Sequence, residues 1–256
     1  MAEKKEHKLV SADTGAAAKP RAKPAAKAQS APQTVQHNVR PAPAKGNAGG
    51  LRAGAVILWV FAVVFEILAV LVLFGKITLT FMPVMYQLIA FLVLDLVCVI
   101  IGSQLWKKAN HIAPASERNK TKFWLWNNMG LIVAIFAFVP LVVLLLTNKD
   151  LDKRTKVICT IVAAIALLIG GAASIDYDPV SEEQLNDAMV VFGDTDVYWA
   201  PFGKVYHLDE DCQALARSET LTVGTVDEAI AAGRTRLCSF CANNHNVTEV
   251  VTDEAA

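Results

Sequence analysis

Four stretches of this chain, residues 53–74, 83–105, 123–146 and 157–174, are runs of apolar side chains with almost no charge. About 20 such residues make a helix long enough to cross the hydrocarbon core of a bilayer. Helices are required there, because each unpaired backbone group in lipid is costly. The expected fold class is therefore an α-helical polytopic membrane protein with four transmembrane helices over 53–174, and the lipid bilayer is its first partner. Apolar residues make up 54% of the chain and charged ones 19%, against about 25% charged in globular proteins. The apolar residues come in blocks instead of periodic stripes, which excludes a single soluble enzyme.

The formal net charge of zero hides three different polymers. Residues 1–52 hold ten Lys/Arg and three Asp/Glu, residues 53–174 hold ten and five, and residues 175–256 hold four and sixteen. Residues 1–50 form a basic tail rich in Ala, Lys and Pro, with almost no Ile, Leu or Phe. Such a segment cannot bury enough apolar area to offset the entropy of ordering, so it is expected to be disordered. It is not read as a cleavable signal, because the first apolar run exceeds the roughly 7–15 residues of a signal core. Its lysines are dispersed, which favours a solvated, orienting tail over an arm that grips anionic lipid or nucleic acid.

Orientation follows from Lys and Arg in the short loops. The tail is basic, the first loop carries only Lys76, and the second carries Lys107, Lys108, Arg118, Lys120 and Lys122. This predicts an inner (plasma) membrane protein with both termini cytoplasmic. The third loop opposes the rule with Lys149, Lys153, Arg154 and Lys156. Trp106, Trp124 and Trp126 flank the second loop, where an aromatic belt is expected.

Two carboxylates, Glu66 and Asp95, lie inside the first and second spans with no Lys or Arg at comparable depth. Ionisable residues there face the bundle interior and commonly mark a pathway. They form a possible intramembrane cation or proton site, with Gln104, Asn127 and Asn128 nearer the cytoplasm; the alternative is a pair of protonated packing residues. In the fourth span Ala166, Gly170 and Ser174 make a small-residue ridge that invites close helix approach. Pro140 marks a bend or packing notch in the third.

After the spans, residues 175–195 read as an acidic connector with a short helix, opened by the capping-box pair Ser181 and Gln184. Residues 196–245 read as a small α+β module, and 246–256 as an acidic tail. Val197–Trp199 and residues 205–207 are β-prone runs around a Pro/Gly turn and predict a hairpin. Thr225 and Glu228 open a second short helix, closed by Gly233. Cys98 and Cys159 lie in spans and read as packing residues. The other three cysteines join a histidine in the order His207, Cys212, Cys238 and Cys241. A Cys-x2-Cys knuckle presents two thiolates to one ion, and Cys3His is a closed tetrahedral zinc set. Soft ligands favour zinc over magnesium or calcium, and about 50 residues have too little core to fold without such help.

Gly203-Lys-Val-Tyr-His207, Cys212-Gln-Ala-Leu215, Glu228-Ala-Ile-Ala-Ala-Gly233 and Cys238-x-x-Cys241 together resemble the small zinc-binding domain of Ada DNA-repair proteins. They are still more similar to its Tyr-His…Cys variant, appended to some bacterial thermonuclease-like proteins. The resemblance covers 197–243 only and implies zinc as cofactor. In the Ada family a thiolate in the first ligand position accepts a methyl group. His207 stands there in this chain, so the resemblance does not extend to methyl transfer. Leu237 departs from the proline that many relatives carry before the knuckle. Nucleic-acid binding is disfavoured, since Lys204, Arg217, Arg234 and Arg236 oppose sixteen acidic residues. A protein partner, or the basic tail of the same molecule, suits this charge. The sequence thus points to a membrane-anchored interaction or assembly protein, not an enzyme. The alternatives are a small transporter or channel using Glu66 and Asp95, with the zinc module as regulatory cap, and a zinc or thiol-redox sensor.

Overall fold

The computed structural model describes residues 7–12, 15, 17, 46–77, 80–193, 195–245 and 247. Most of the tail predicted to be disordered, and the acidic tail 246–256 apart from Val247, lie outside the described residues. The chain divides into two compact units, one of 47–110 with 118–177 and the other of 1–46, 111–117 and 178–256.

The first unit is helical: α1 (Ala48–Leu73), α2 (Val84–Ile112), α3 (Lys120–Asn127), α4 (Met129–Thr147) and α5 (Lys153–Ser174). α1, α2, α4 and α5 are long and apolar enough to cross a membrane. Asn47, Asn119 and Asp152 start α1, α3 and α5, each accepting a hydrogen bond from the backbone N–H three residues on. This satisfies donors that a helix start leaves open. Ala62 and Ala69 of α1, Leu88 and Leu92 of α2, Phe138 and Leu141 of α4, and Ala163 and Ala166 of α5 meet in the bundle core. The outward faces keep Ile57, Phe61, Phe136 and Leu168 exposed. Apolar groups on the outside are what a lipid-solvated bundle requires.

The small-residue ridge is a contact line. A Cβ on Gly170 would approach Leu96 and Phe138 to 3.2 and 3.3 Å. Ser174 donates from Oγ to Ser103 Oγ at 2.9 Å in the buried interior. Cys159 is fully buried in the core, and Cys98 packs against it.

Three features of this unit add to the sequence reading. α2 continues past residue 105 to Ile112. Lys107 and Lys108 interrupt the apolar run, yet Trp106, Ala109 and Asn110 bury one face of the extension. Lys107 Nζ donates to the Ala173 carbonyl at 2.7 Å and to that of Ile175 at 3.3 Å, serving the open C-terminal end of α5. The third span does not start at residue 123: Asn128 separates α3 from α4 and donates from Nδ2 to the Trp124 carbonyl at 2.9 Å. Asn side chains compete with the helix for its backbone groups. Finally, Trp106 does not lie on the outer surface, where a belt residue would. It is buried between Trp59 and Trp126, at centroid distances of 5.2 and 5.1 Å, and donates from Nε1 to the Trp126 carbonyl at 2.9 Å. The Arg52 guanidinium lies 5.9 and 5.3 Å from the Trp106 and Trp126 rings. Trp124 does stay exposed.

The second unit contains β1 (Lys8–Ser11), α6 (Glu182–Phe192), β2 (Val197–Trp199), β3 (Val205–Tyr206), β4 (Thr220–Gly224), α7 (Val226–Ala231), β5 (Arg236–Leu237) and α8 (Ser239–Asn244). One sheet has the order β1-β4-β2, and β3 pairs with β5 in a second. The predicted hairpin reduces to a single bridge between Tyr198 and His207. Each of its strands finds a better partner elsewhere: β2 runs antiparallel to β4, and β3 parallel to β5. Both predicted capping boxes form, at Ser181 with Gln184 and at Thr225 with Glu228. Gly233 ends the second with φ +82°, a left-handed conformation suited to glycine.

α6 is more than a connector. Leu185, Ala188 and Phe192 join Val197, Trp199, Tyr206, Val226 and Ile230 in one core. Its first turn also holds residues 111–117. Ser116 Oγ donates to Glu183 Oε1 at 2.5 Å, the Glu117 N–H donates to Glu183 Oε2 at 2.8 Å, and the Glu182 N–H donates to the Ala115 carbonyl at 3.0 Å.

The largest departure is β1, in the segment expected to be unstructured. Residues Lys8–Ser11 pair in parallel with Thr220–Val223 of β4. Leu9 and Val10 are an apolar pair in an otherwise polar stretch, and β4 supplies the open backbone edge that local composition cannot reveal.

Candidate metal centre

Four side chains from three loops and a helix converge in the second unit. His207 directly follows β3 and Cys238 directly follows β5. The pairing of Tyr206 with Leu237 carries the two ligand positions forward side by side. The Cys238 N–H donates to the Tyr206 carbonyl at 2.9 Å, and His207 exchanges two backbone bonds with Tyr198 at 2.7 and 2.8 Å. Cys238 is the N-cap of α8 and Cys241 lies in its first turn. The knuckle is thus a helix start, with the two thiols on one side. Cys212 begins the 3-10 turn Gln213–Leu215, whose last N–H donates to the Cys212 carbonyl at 2.8 Å.

The imidazole nitrogen of His207 and the sulfurs of Cys212, Cys238 and Cys241 all lie within 4.8 Å of one another, and all four residues are buried. Cys241 Sγ is 3.8 Å from His207 Nδ1. All five cysteines of the chain are free of disulfides. This group could hold a metal ion. Burial pushes the Cys212 thiol up to about 12 and the His207 imidazole down to about 4. The neutral imidazole is the ligating form. A divalent cation reverses the balance for a thiol, which binds as thiolate and releases its proton.

Around the ligands, Tyr198, Leu215, Leu221 and Leu9 close an apolar shell that includes the three cysteine side chains. Outside it, His245 Nε2 lies 2.6 Å from Asp209 Oδ2, joining the end of α8 to the loop between the first two ligands. The ligands themselves are visible from their spacing. The shell is not, because Leu9 comes from the other end of the chain and Leu221 from a five-residue strand with no turn signal of its own.

The other predicted pair lies in the helical unit. Asp95 is buried, and both of its carboxylate oxygens lack a hydrogen-bond partner among the described residues. Glu66 is half-buried and near enough to act on Asp95 electrostatically. Asn127 is buried and accepts from Asn110 Nδ2 at 3.2 Å, while Gln104 donates to the Ala173 carbonyl at 2.9 Å. Neither group hydrogen-bonds to the Asp95 carboxylate.

Comparison of the chain with protein-family models, with curated proteins and with solved structures gives no match.

Proposed function

We propose that this chain is a multi-pass inner-membrane protein whose cytoplasmic module folds around a structural zinc ion and docks other proteins, with no catalytic role. The observation that carries the reading is the closed ligand set, one imidazole and three thiols within 4.8 Å. A tetrahedral zinc site with bonds of about 2.3 Å to sulfur and about 2.1 Å to nitrogen needs ligand edges of about 3.6 Å. The 3.8 Å between Cys241 Sγ and His207 Nδ1 is close to that. Four protein ligands leave no position for a reactive water, which favours a structural site over a catalytic one. Three soft sulfurs favour zinc over magnesium or calcium. The likeness of 197–243 to Ada-type zinc domains supports the same metal. The acidity of this part of the chain supports a protein partner over nucleic acid.

The cytoplasmic orientation rests on charge and on chain connectivity. β1, residues 111–117 and the C-terminal residues belong to one unit, so a bilayer crossed by four helices would leave all three on one side. The basic second loop makes that side the cytoplasm, where free thiols also persist. Elemental analysis of the intact protein, purified without chelator, is expected to find one zinc per chain. Labelling of single cysteines introduced after residue 247 should succeed only from the cytoplasmic face. Metal-free protein, or labelling from outside, overturns the reading.

A second reading is favoured by one observation, the buried Asp95 whose carboxylate oxygens have no hydrogen-bond partner among the described residues. A buried charge without compensation is costly, so such a group is retained where a proton or cation visits it. On this reading the bundle conducts a cation or proton. Flux in proteoliposomes is expected to vanish in the Glu66→Gln/Asp95→Asn double variant. Equal flux in wild type and variant removes the reading.

A further inference from the structure

We infer that the edge of β4 is a strand-docking surface built for residues 7–12 of this same chain, and that the bound metal controls its occupancy. The inference rests on the metal reading above. β4 has β2 on one side. Without β1 its other side is an open row of backbone donors and acceptors, which recruits an extended segment. The N-terminal segment pairs with four of the five residues of β4. Lys8, Leu9, Val10 and Ser11 pair in parallel with Thr220, Leu221, Thr222 and Val223. The ladder is extended at both ends: the Lys8 N–H donates to the Glu219 carbonyl at 2.9 Å and the Ala12 N–H to that of Val223 at 2.8 Å. His7 Nδ1 lies 2.8 Å from the Ser218 carbonyl oxygen. Charge agrees as well, since residues 1–52 carry ten Lys/Arg and residues 175–256 carry sixteen Asp/Glu.

The coupling to the metal comes from one side chain. Leu9 is buried in the same apolar cluster as Cys212, Cys238 and Cys241, together with Leu215 and Leu221. Leu9 therefore packs on the ligand shell and helps keep water from it. The apolar shell of a metal site sets solvent access. Conversely, the ion holds in place the sulfurs that form the floor under Leu9. Linkage makes the two effects reciprocal: the metal holds the strand, and the strand holds the metal. Loss of the ion thus frees the basic N-terminal segment together with the ligand shell that Leu9 covers.

The test uses the full chain in lipid nanodiscs, loaded with zinc alone. Leu9→Glu is expected to release zinc to excess chelator at least about tenfold faster than wild type, the range seen when supporting groups around a metal are lost. Leu9→Ile should stay near the wild-type rate, and deletion of residues 7–12 should match Leu9→Glu. In the wild type, stripping zinc should raise hydrogen exchange at the amides of residues 8–11. One zinc per chain with unchanged release from Leu9→Glu and from the deletion overturns the coupling alone. Amides of 8–11 that stay protected after zinc is stripped also overturn it. Absence of zinc from the wild type overturns the metal reading and the coupling together.

Discussion

The Cys238→Ser/Cys241→Ser variant is expected to be purified without zinc and with its soluble unit unfolded, while the helical unit stays intact. Two of the four ligands disappear, and they are the pair presented by the start of α8. The remaining His207 and Cys212 cannot enclose an ion. The second unit has small cores centred on Phe192 with Tyr206 and on Leu221 with the cysteines. Cores of that size leave little stability in reserve. A structural zinc supplies roughly 10–16 kcal/mol of apparent binding energy in small zinc-dependent folds, more than such a unit has to lose. Limited proteolysis should therefore cut the variant within 195–245 at protease levels that leave the wild type whole, and chelator should produce the same pattern in the wild type. A variant as resistant as the wild type would mean that the apolar clusters alone suffice.

Inside the bundle, Gly130→Ala and Gly171→Ala are expected to behave oppositely, although the change is the same. A Cβ on Gly130 would sit 2.5 Å from Ser103 Oγ, 2.8 Å from Ser103 Cβ and 3.3 Å from Ser174 Cβ. It would force α4 away from α2 and α5, and would break the buried bond between the two serines. Overpacking of this kind costs about 1–3 kcal/mol, with loss of a buried hydrogen bond adding about 1 kcal/mol. On Gly171 the nearest side-chain atom is Leu131 Cδ1 at 3.5 Å, an ordinary contact. Thermal denaturation in one detergent should show a marked fall in midpoint for Gly130→Ala and none for Gly171→Ala. Equal midpoints would show that the helices at this crossing are free to separate.

The Ser103–Ser174 crossing and the metal cluster differ in how far they could be read ahead. The spacing of Ala166, Gly170 and Ser174 announces a ridge, since every fourth residue of a helix shares a face. It does not say which helix lies against it; Leu96, Ser103 and Phe138 answer that only in the folded bundle. His207, Cys212 and the Cys-x2-Cys knuckle are legible because ligands of one ion obey short-range geometric rules. Glu66 and Asp95 were visible as charges out of place, and burial of Asp95 without a partner sharpens the anomaly. The predicted hairpin is present in reduced form, as one antiparallel bridge between Tyr198 and His207. Two β-prone runs around a turn satisfy a local rule, and the strands also pair with β4 and β5 from farther along the chain.

Local chemistry was enough for the four membrane-length helices, the short helices after Ser181 and Thr225 with their capping boxes, and the choice of the four candidate ligands. The helices depend on neighbours within a few residues or on a solvent that reads the length of an apolar run, and the candidate ligands on residue type and spacing. Long-range packing settled the rest: the inward turn of Trp106, the break at Asn128, the place of α6 in a core, and the N-terminal strand laid over the cysteines. Backbone edges and apolar surface are interchangeable along a chain, so only the geometry of the assembled fold selects which distant segment covers them.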